Sequence, residues 1–424
     1  MAAREQDKQN IIQQLLQSVN AQVVQEAQKV IHDTLDSLNE ELRAISVDIH
    51  EHPEVGMSEH HAHQVLTDFM ESKGFTVTRK AFNIETAFTA EYSNGEGRRV
   101  GFCSEFDALP GIGHACGHNL IAITGVACAL ALKALLDKGL SKGKVILFGT
   151  PSEEPLDGKI QMLKNGAFRD QVDVCMMLHP TNGNSQYWPA TAVQDVRVEF
   201  HGKPSHAGLA PWRGVNALDA IAQAWVNVGL LRQQLEPMDR VHGIITDGGK
   251  AVNVIPDYTA AHLYVRAKNV ARVNALIPKV ENCFRAAALA TGCELKLTWR
   301  ETGVCKNVEQ NSILADTYTH YMDTTFGITH PSKEAQTLAV TGGSTDFGNV
   351  SYALPGIHPT FKIPTKTNPH TGEFRDAAKL PESQACALKA CEGLAMVGAH
   401  VLLDSAFLTA AKNEYETCVP EEMR

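Results

Sequence analysis

Glu105, Asp107, His114, Cys116 and His118 fall within fifteen residues of one another in the segment SEFDALPGIGHACGHN, at positions 104–119. A thiol and an imidazole two residues apart point to one face if the backbone is extended, because side-chain direction repeats every second residue there. Cys116 and His118 therefore have metal-ligand spacing. Two more groups follow apolar strands, Glu153-Glu154 in GTPSEEP after KVILFGT and His179 at the end of VCMMLHP, and a third, His370 in KTNPHTGEF, lies in a loop near the C-terminus. Carboxyl ends of parallel strands are where open α/β sheets build their sites. Two carboxylates next to a buried strand cost several kcal/mol unless a positive charge neutralises them. No lysine or arginine adjoins the pair, Lys159 being five residues on. A divalent cation is the expected partner.

One cysteine, three histidines and a glutamate suffice for two metal ions, with thiolate or carboxylate bridging. Paired ions polarise a carbonyl and lower the pKa of a water. A second glutamate that binds no metal can take that water's proton and pass it to a leaving amine. The reaction class this predicts is metal-assisted hydrolysis of an amide.

The elements that must position these groups follow from hydrophobic periodicity. Val24, Ala27, Val30, Ile31, Leu35, Leu38 and Leu42 recur at helical spacing over 22–46. A second helix opens at Ser58-Glu59 and ends at Gly74. The strands FTVTRKA and TAFTAEYS come next, the latter turning at Asn94-Gly95 into RRVGFCSEF. An apolar helix over 120–137, the strand KVILFGTP, the helix GKIQMLKNGAF and the strand VDVCMMLHP complete an alternating pattern. Continuous apolar strands alternating with helices predict an α/β fold with a mostly parallel sheet covered on both faces. From residue 192 the order becomes strand, helix, strand, strand, helix, strand, which is the ferredoxin-like α+β arrangement. The α/β pattern resumes after Thr302 and runs to a long helix over 382–404. The expected organisation is a catalytic domain of residues 1–191 and 303–424 with a smaller domain, 192–302, inserted in it.

Bulk properties narrow the partners. The 424 residues are 44% hydrophobic and 20% charged with a formal charge of −10, so there is no basic footprint for nucleic acid. The apolar run Leu120 to Leu132 is too short to cross a bilayer. The N-terminal MAAREQDKQNIIQQLLQ lacks the apolar core of a signal peptide. Ten scattered cysteines do not make a disulfide framework, and Cys128, Cys386 and Cys391 sit on apolar helical patterns as packing residues. A cytoplasmic location without membrane or nucleic-acid partners is the expectation.

The segments EFDALPGIGHACGHN, PSEEPLDGK, MMLHP, GKPSHAG, AVNVIPDYTAAHLYVRA, GGSTDFGNVS and NPHTGEF, in this order over roughly residues 35 to 405, resemble the M20 metallopeptidases. The amidohydrolase-like branch is most similar, and within it the peptidase M20 domain-containing protein 2 group, the Xaa-Arg or β-alanyl-lysine dipeptidases. The resemblance implies two divalent ions held by Cys116, His118, Glu154, His179 and His370, with Cys116 as the bridge. It implies Glu153 as general base, Asp107 as a carboxylate orienting a ligand, and His114 as a supporting hydrogen-bonding group. It also makes the inserted domain a lid and dimer interface. His206 would reach the scissile carbonyl's oxyanion, often from the partner subunit of a homodimer. Asn253 and Arg266 would hold the substrate's polar end, and Ser344 and Thr345 are further substrate-contact candidates.

The chain departs from many M20 peptidases at two positions. Glu105 stands where a histidine is common, and Cys116 where an aspartate bridges. A thiolate favours zinc, whereas imidazole and carboxylate ligands also accept manganese or cobalt. The resemblance leads to hydrolysis of a small dipeptide or N-acyl amino acid. Two alternatives are an acylase-like enzyme cutting or forming an unusual amide, and an inactive binding or regulatory protein on the same scaffold.

Overall fold

The computed structural model describes residues 11–155, 157–339 and 343–424, so residues 1–10 of the N-terminal segment, and Gly342 of GGSTDFGNVS, lie outside the described residues. Two units divide them. The first contains the chain up to Pro189 with Val308–Ala339 and Thr345–Arg424, and the second contains Ala190–Asn307 with Gly343 and Ser344.

In the first unit β1 (Thr76–Arg79), β2 (Phe88–Ser93), β3 (Arg98–Ser104), β4 (Gly143–Gly149), β5 (Val174–Met176) and β11 (Gly356–Ile357) form a sheet in the order β1-β2-β4-β3-β5-β11. The four strands from β4 to β11 are parallel, and β1 and β2 add an antiparallel edge. The turn at Asn94-Gly95 does not pair β2 with β3, because β4 lies between them. The Asn94 side chain bonds away from β3: its amide donates to the carbonyls of Leu136 and Ser141, and its oxygen accepts from Gly143 N–H at 3.0 Å. It thereby ties the turn to the start of β4. A separate parallel pair, β6 (His179–Thr181) and β12 (Thr360–Lys362), continues beyond β5 and β11.

Residues Val145 to Phe148 of β4 and Val100, Phe102 and Cys103 of β3 are all buried, as expected of strands covered on both faces. The helix α2 (His118–Asp137) packs against β3, α1 (Ala21–Glu51) and α6 (Pro381–Leu403). Contacts on several sides explain why α2 is apolar nearly all round instead of amphipathic. Both α2 and α6 are long and apolar enough to cross a membrane, but their apolar windows are 89% and 78% buried inside the protein. They are core helices here.

The second unit follows β7 (Ala192–His201), α4 (Ala217–Leu231), β8 (Arg240–Asp247), β9 (Tyr258–Ala267), α5 (Val270–Thr291) and β10 (Glu294–Trp299). Its antiparallel sheet has the order β10-β7-β9-β8, the ferredoxin-like layout. Val196, Val198 and Phe200 alternate along β7 toward Ala220, Ile221 and Ala224 of α4 and Val280 and Phe284 of α5 in one apolar layer. Cys305 stays with this unit through paired backbone hydrogen bonds to Val193 at 2.8 and 3.0 Å.

The packing of α2 makes a direct prediction. Leu132 is fully buried and faces Gly398 of α6. Leu132→Ala should lower the unfolding free energy by about 2–5 kcal/mol in urea titrations followed by circular dichroism. A loss below about 1 kcal/mol would contradict the close α2–α6 contact.

Candidate metal centre

Chain geometry at the ends of β3 and β4 assembles the first part of the centre. Past Ser104 the buried Glu105 and Asp107 lie two residues apart, and Thr150 N–H donates to the Ser104 carbonyl at 2.8 Å, keeping the two chain ends side by side. Ser152 then takes a left-handed φ of 61°, a costly conformation for a residue with a side chain, immediately before Glu153 and Glu154.

The segment carrying Cys116 and His118 is not extended, contrary to the expectation from their spacing. Gly117 between them is left-handed at φ 83°, and His118 is the first residue of α2. A Cβ at position 117 would lie 2.6 Å from Pro180 Cγ, so glycine is required by conformation and by space. The turn nevertheless directs both side chains into one cluster.

Within that cluster the donors are oriented by their neighbours. His118 Nδ1 lies 3.1 Å from Asp107 Oδ1, while Asp107 Oδ2 accepts the Glu154 backbone N–H at 3.0 Å. This leaves His118 Nε2 facing Glu105 Oε2 at 3.5 Å, Glu153 Oε2 at 3.8 Å and Glu154 Oε1 at 3.9 Å. His179 Nδ1 donates to the Pro180 carbonyl at 2.8 Å, which turns Nε2 toward Cys116 Sγ at 3.4 Å. His370 Nε2 is 3.5 Å from the other Glu154 oxygen. His370 itself is left-handed at φ 69°, and its N–H donates to the Ala115 carbonyl at 2.8 Å. A carboxylate or carbonyl on one imidazole nitrogen with the other free is how metal-binding histidines are held.

Three donor triads result, each with its atoms within 4.8 Å of one another: Cys116, His118 and His179; Cys116, Glu154 and His370; Glu105, His118 and Glu153. Cys116 belongs to two of them. His118 Nε2, Glu154 Oε1 and Glu105 Oε2 are buried and lack a hydrogen-bond partner among the described residues. Buried polar atoms without partners are costly, and a cation between them would remove the cost. The donor set thus fits divalent metal.

The titratable groups are displaced in both directions: burial pushes the Cys116 thiol up, and against burial Cys116 and Asp107 hold His118 well above the usual imidazole range. Burial first, and then Asp107 and Glu105, push Glu154 up to about 7 against the opposing pull of His118. Burial, with Glu105 and Glu154, raises Glu153 well above the usual carboxylate range. Burial and then His358 draw His179 down to about 3, so its imidazole is neutral, the form that binds metal.

A protein cation is present after all, although none adjoins Glu153-Glu154 in sequence. Lys159, at the start of the helix α3 (Gly158–Lys164), is fully buried, and its Nζ lies 2.6 Å from both Glu105 Oε1 and Asp346 Oδ1. It holds Glu105 below the usual carboxylate range although burial works against the charged form. Glu105 and Lys159 escaped identification as a pair because fifty-four residues separate them. The period-two relation of Glu105 to Asp107 was the available signal. His358 was missed too: it is fully buried, its ring centroid is 5.6 Å from that of His179, and it stacks on Trp188 at 5.7 Å.

The remaining candidates are distributed over both units. The buried His114 ring lies 6.1 Å from that of His50 and hydrogen-bonds none of the five ligand candidates. Thr345, in the first unit, accepts the Phe347 N–H at 3.2 Å. In the second unit His206 and Asn253 lie on adjoining strips of backbone, with Ala207 N–H donating to the Asn253 carbonyl at 2.9 Å. His206 is exposed, and its Nδ1 accepts from the amides of Gly208 and Leu209 at 3.2 and 3.1 Å. Its proton therefore sits on Nε2. Arg266, on β9, donates to Ser344 Oγ at 2.6 Å, and Ser344 in turn donates to the Thr191 carbonyl at 2.7 Å.

The chain is similar to known proteins over most of its length. A family profile described as a peptidase dimerisation domain matches residues 193–292. The Xaa-Arg dipeptidase of Mus musculus is 42% identical over 401 residues, covering 92% of each chain. That of Homo sapiens is 40% identical over 408 residues, again covering 92% of each. The solved structure of a dinuclear metal-binding M20 peptidase from Bacillus subtilis shares the fold, with a TM-score of 0.65 at 18% identity over 86% of this chain and 99% of that one. With two relatives at this identity over nearly their full length, the chain belongs to the M20 peptidase family and is a hydrolase.

Proposed function

We propose that this hydrolase cleaves the amide bond of a small dipeptide using two divalent ions, with Glu153 as general base. The observation that carries the reading is the donor cluster itself, buried except for the exposed His370 and the partly buried His179 and Glu154, with Cys116 shared by two triads and His118 Nε2 and Glu154 Oε1 without hydrogen-bond partners among the described residues. Cys116, His118, Glu154, His179 and His370 would hold the ions, Cys116 as the bridge, and the thiolate favours zinc over manganese or cobalt. Bound ions supply a Lewis acid for the scissile carbonyl and lower the pKa of the attacking water.

The chain's own groups do the rest. Asp107 fixes the His118 ring through Nδ1. Glu153 takes a proton from the attacking water and returns it to the leaving amine. His206, with its proton on Nε2, donates to the carbonyl oxygen as charge develops there. Arg266 is proposed for the substrate carboxylate, since a guanidinium binds both oxygens, with Asn253, Ser344 and Thr345 as further contacts. The relatives' activity makes dipeptides ending in arginine the first substrates to assay, with N-acyl amino acids as the comparison set. The dimerisation-domain match, together with exposed Trp212, Leu209 and Leu230 in the second unit, supports a homodimer formed through that unit. A cytoplasmic setting suits a centre built on a reduced thiol.

Three variants test these roles. Glu153→Gln should keep both ions but lower kcat by about 10²–10⁴-fold, as expected for loss of a general base. Wild-type turnover would sink that assignment. Cys116→Ala should lose bound metal, measured by elemental mass spectrometry, together with activity; unchanged metal content would reduce the thiol to a packing role. His206→Ala should lower kcat by about 100-fold with KM little altered, the pattern of a donor that acts in the transition state. A change confined to KM would remove it from the oxyanion.

A further inference from the structure

Glu105 is an acid at the centre for which the five ligands and one base leave no task. Its Oε1 accepts from Lys159 Nζ at 2.6 Å. Lys159 is locked in turn by Asp346, whose Oδ1 accepts from Nζ at 2.6 Å and whose Oδ2 accepts the Lys159 backbone N–H at 2.7 Å. All three side chains are buried. With Oε1 fixed, the Glu105 carboxylate cannot rotate freely, and Oε2 is held 3.5 Å from His118 Nε2, the nitrogen that Asp107 leaves free. Oε2 has no hydrogen-bond partner among the described residues. Glu105, His118 and Glu153 form a triad of donor atoms that does not include Cys116.

A triad of two carboxylates and one ammonium retains a net negative charge. Burying it costs several kcal/mol that packed apolar side chains would avoid. The lysine's single positive charge is shared between Asp346 and Glu105 Oε1, so one negative charge of the three groups stays uncompensated, and Glu105 Oε2 faces the ligand pocket. We propose that Glu105 is a further anionic donor to the ion held by His118, and that Lys159, clamped by Asp346, is the positioning residue that aims it. The proposal rests on the reading of the cluster as a metal centre. It assigns the ion at His118 one more negative neighbour than the five-ligand set supplies, so that ion is held more tightly than the same site with a neutral group at position 105.

Glu105→Gln is the informative variant, because it keeps the shape and leaves the Lys159–Asp346 pair intact. Co²⁺ would be titrated into metal-free protein against a competing chelator, with the visible absorption spectrum recorded at each step and the metal-free melting temperature measured alongside. The expected result is one of two ions weakened by about 10–100-fold with an altered cobalt spectrum, the other ion unchanged. Lys159→Met should weaken the same ion, and the double variant should bind no more weakly than the worse single variant, since the lysine acts through the glutamate. Wild-type affinity and spectrum in Glu105→Gln would overturn the proposal, as would additive losses in the double variant. If Lys159→Met does not fold, the Glu105→Gln titration decides alone. Wild-type protein that binds no Co²⁺ would overturn the metal reading itself, and the role of Glu105 with it.

Discussion

Glu105, Asp107, Glu153, Glu154 and Asp346 are carboxylates buried or nearly buried together beyond the ends of β3 and β4, and Lys159 is the ammonium set among them. Each buried carboxylate costs several kcal/mol unless it is neutralised or well hydrogen-bonded. Lys159 answers for one of the two charges on Glu105 and Asp346, so one remains there, and His118 with the Glu154 amide answers for Asp107. Glu153 and Glu154 are left, and burial raises both. That imbalance is the constraint around which the rest of the centre is arranged.

The scaffold spends conformational strain to maintain it. Ser152 and His370 both hold left-handed backbone conformations unfavourable for residues with side chains, one just before the glutamate pair and the other carrying a proposed ligand. Gly117 takes the same conformation without that penalty and allows Pro180 to pack against the turn from which α2 starts. The rigid parts of the unit, the parallel strands and α2 wedged between α1 and α6, fix where these turns can lie. Precise donor placement is thus a property of the core as much as of the loops.

Much of this was legible in the chain. Helix and strand periodicity located α1, α2, β3, β4 and the ferredoxin-like unit, since burial patterns are local signals. Strand ends and the loops beside them singled out Cys116, His118, the Glu153-Glu154 pair, His179 and His370 as neighbours, whereas the choice of five ligands among them comes from the family resemblance. Three features were not legible. The insertion of β4 between β2 and β3 rests on backbone pairing with a strand some fifty positions on, and Asn94 bonds residues more than forty positions away at the same end. The left-handed turn at Gly117 replaces the extended backbone that the Cys116–His118 spacing suggested, and the packing of Pro180 against it has no local signature at residue 117. Lys159 looked irrelevant to the glutamates by sequence distance, yet the first turn of α3 carries it into the centre against Glu105 and Asp346. In each case the deciding contact is made across the fold, where spacing along the chain carries no information.

The central question is whether metal at Cys116 meets this buried charge imbalance. A crystal of protein loaded with zinc, measured above and below the zinc absorption edge, tests that most directly. Two anomalous peaks per chain are predicted, both within bonding distance of the Cys116 sulfur, about 2.3 Å for a zinc–thiolate bond. Zinc bound elsewhere on the chain, or a Cys116 sulfur with no ion beside it, would contradict the account.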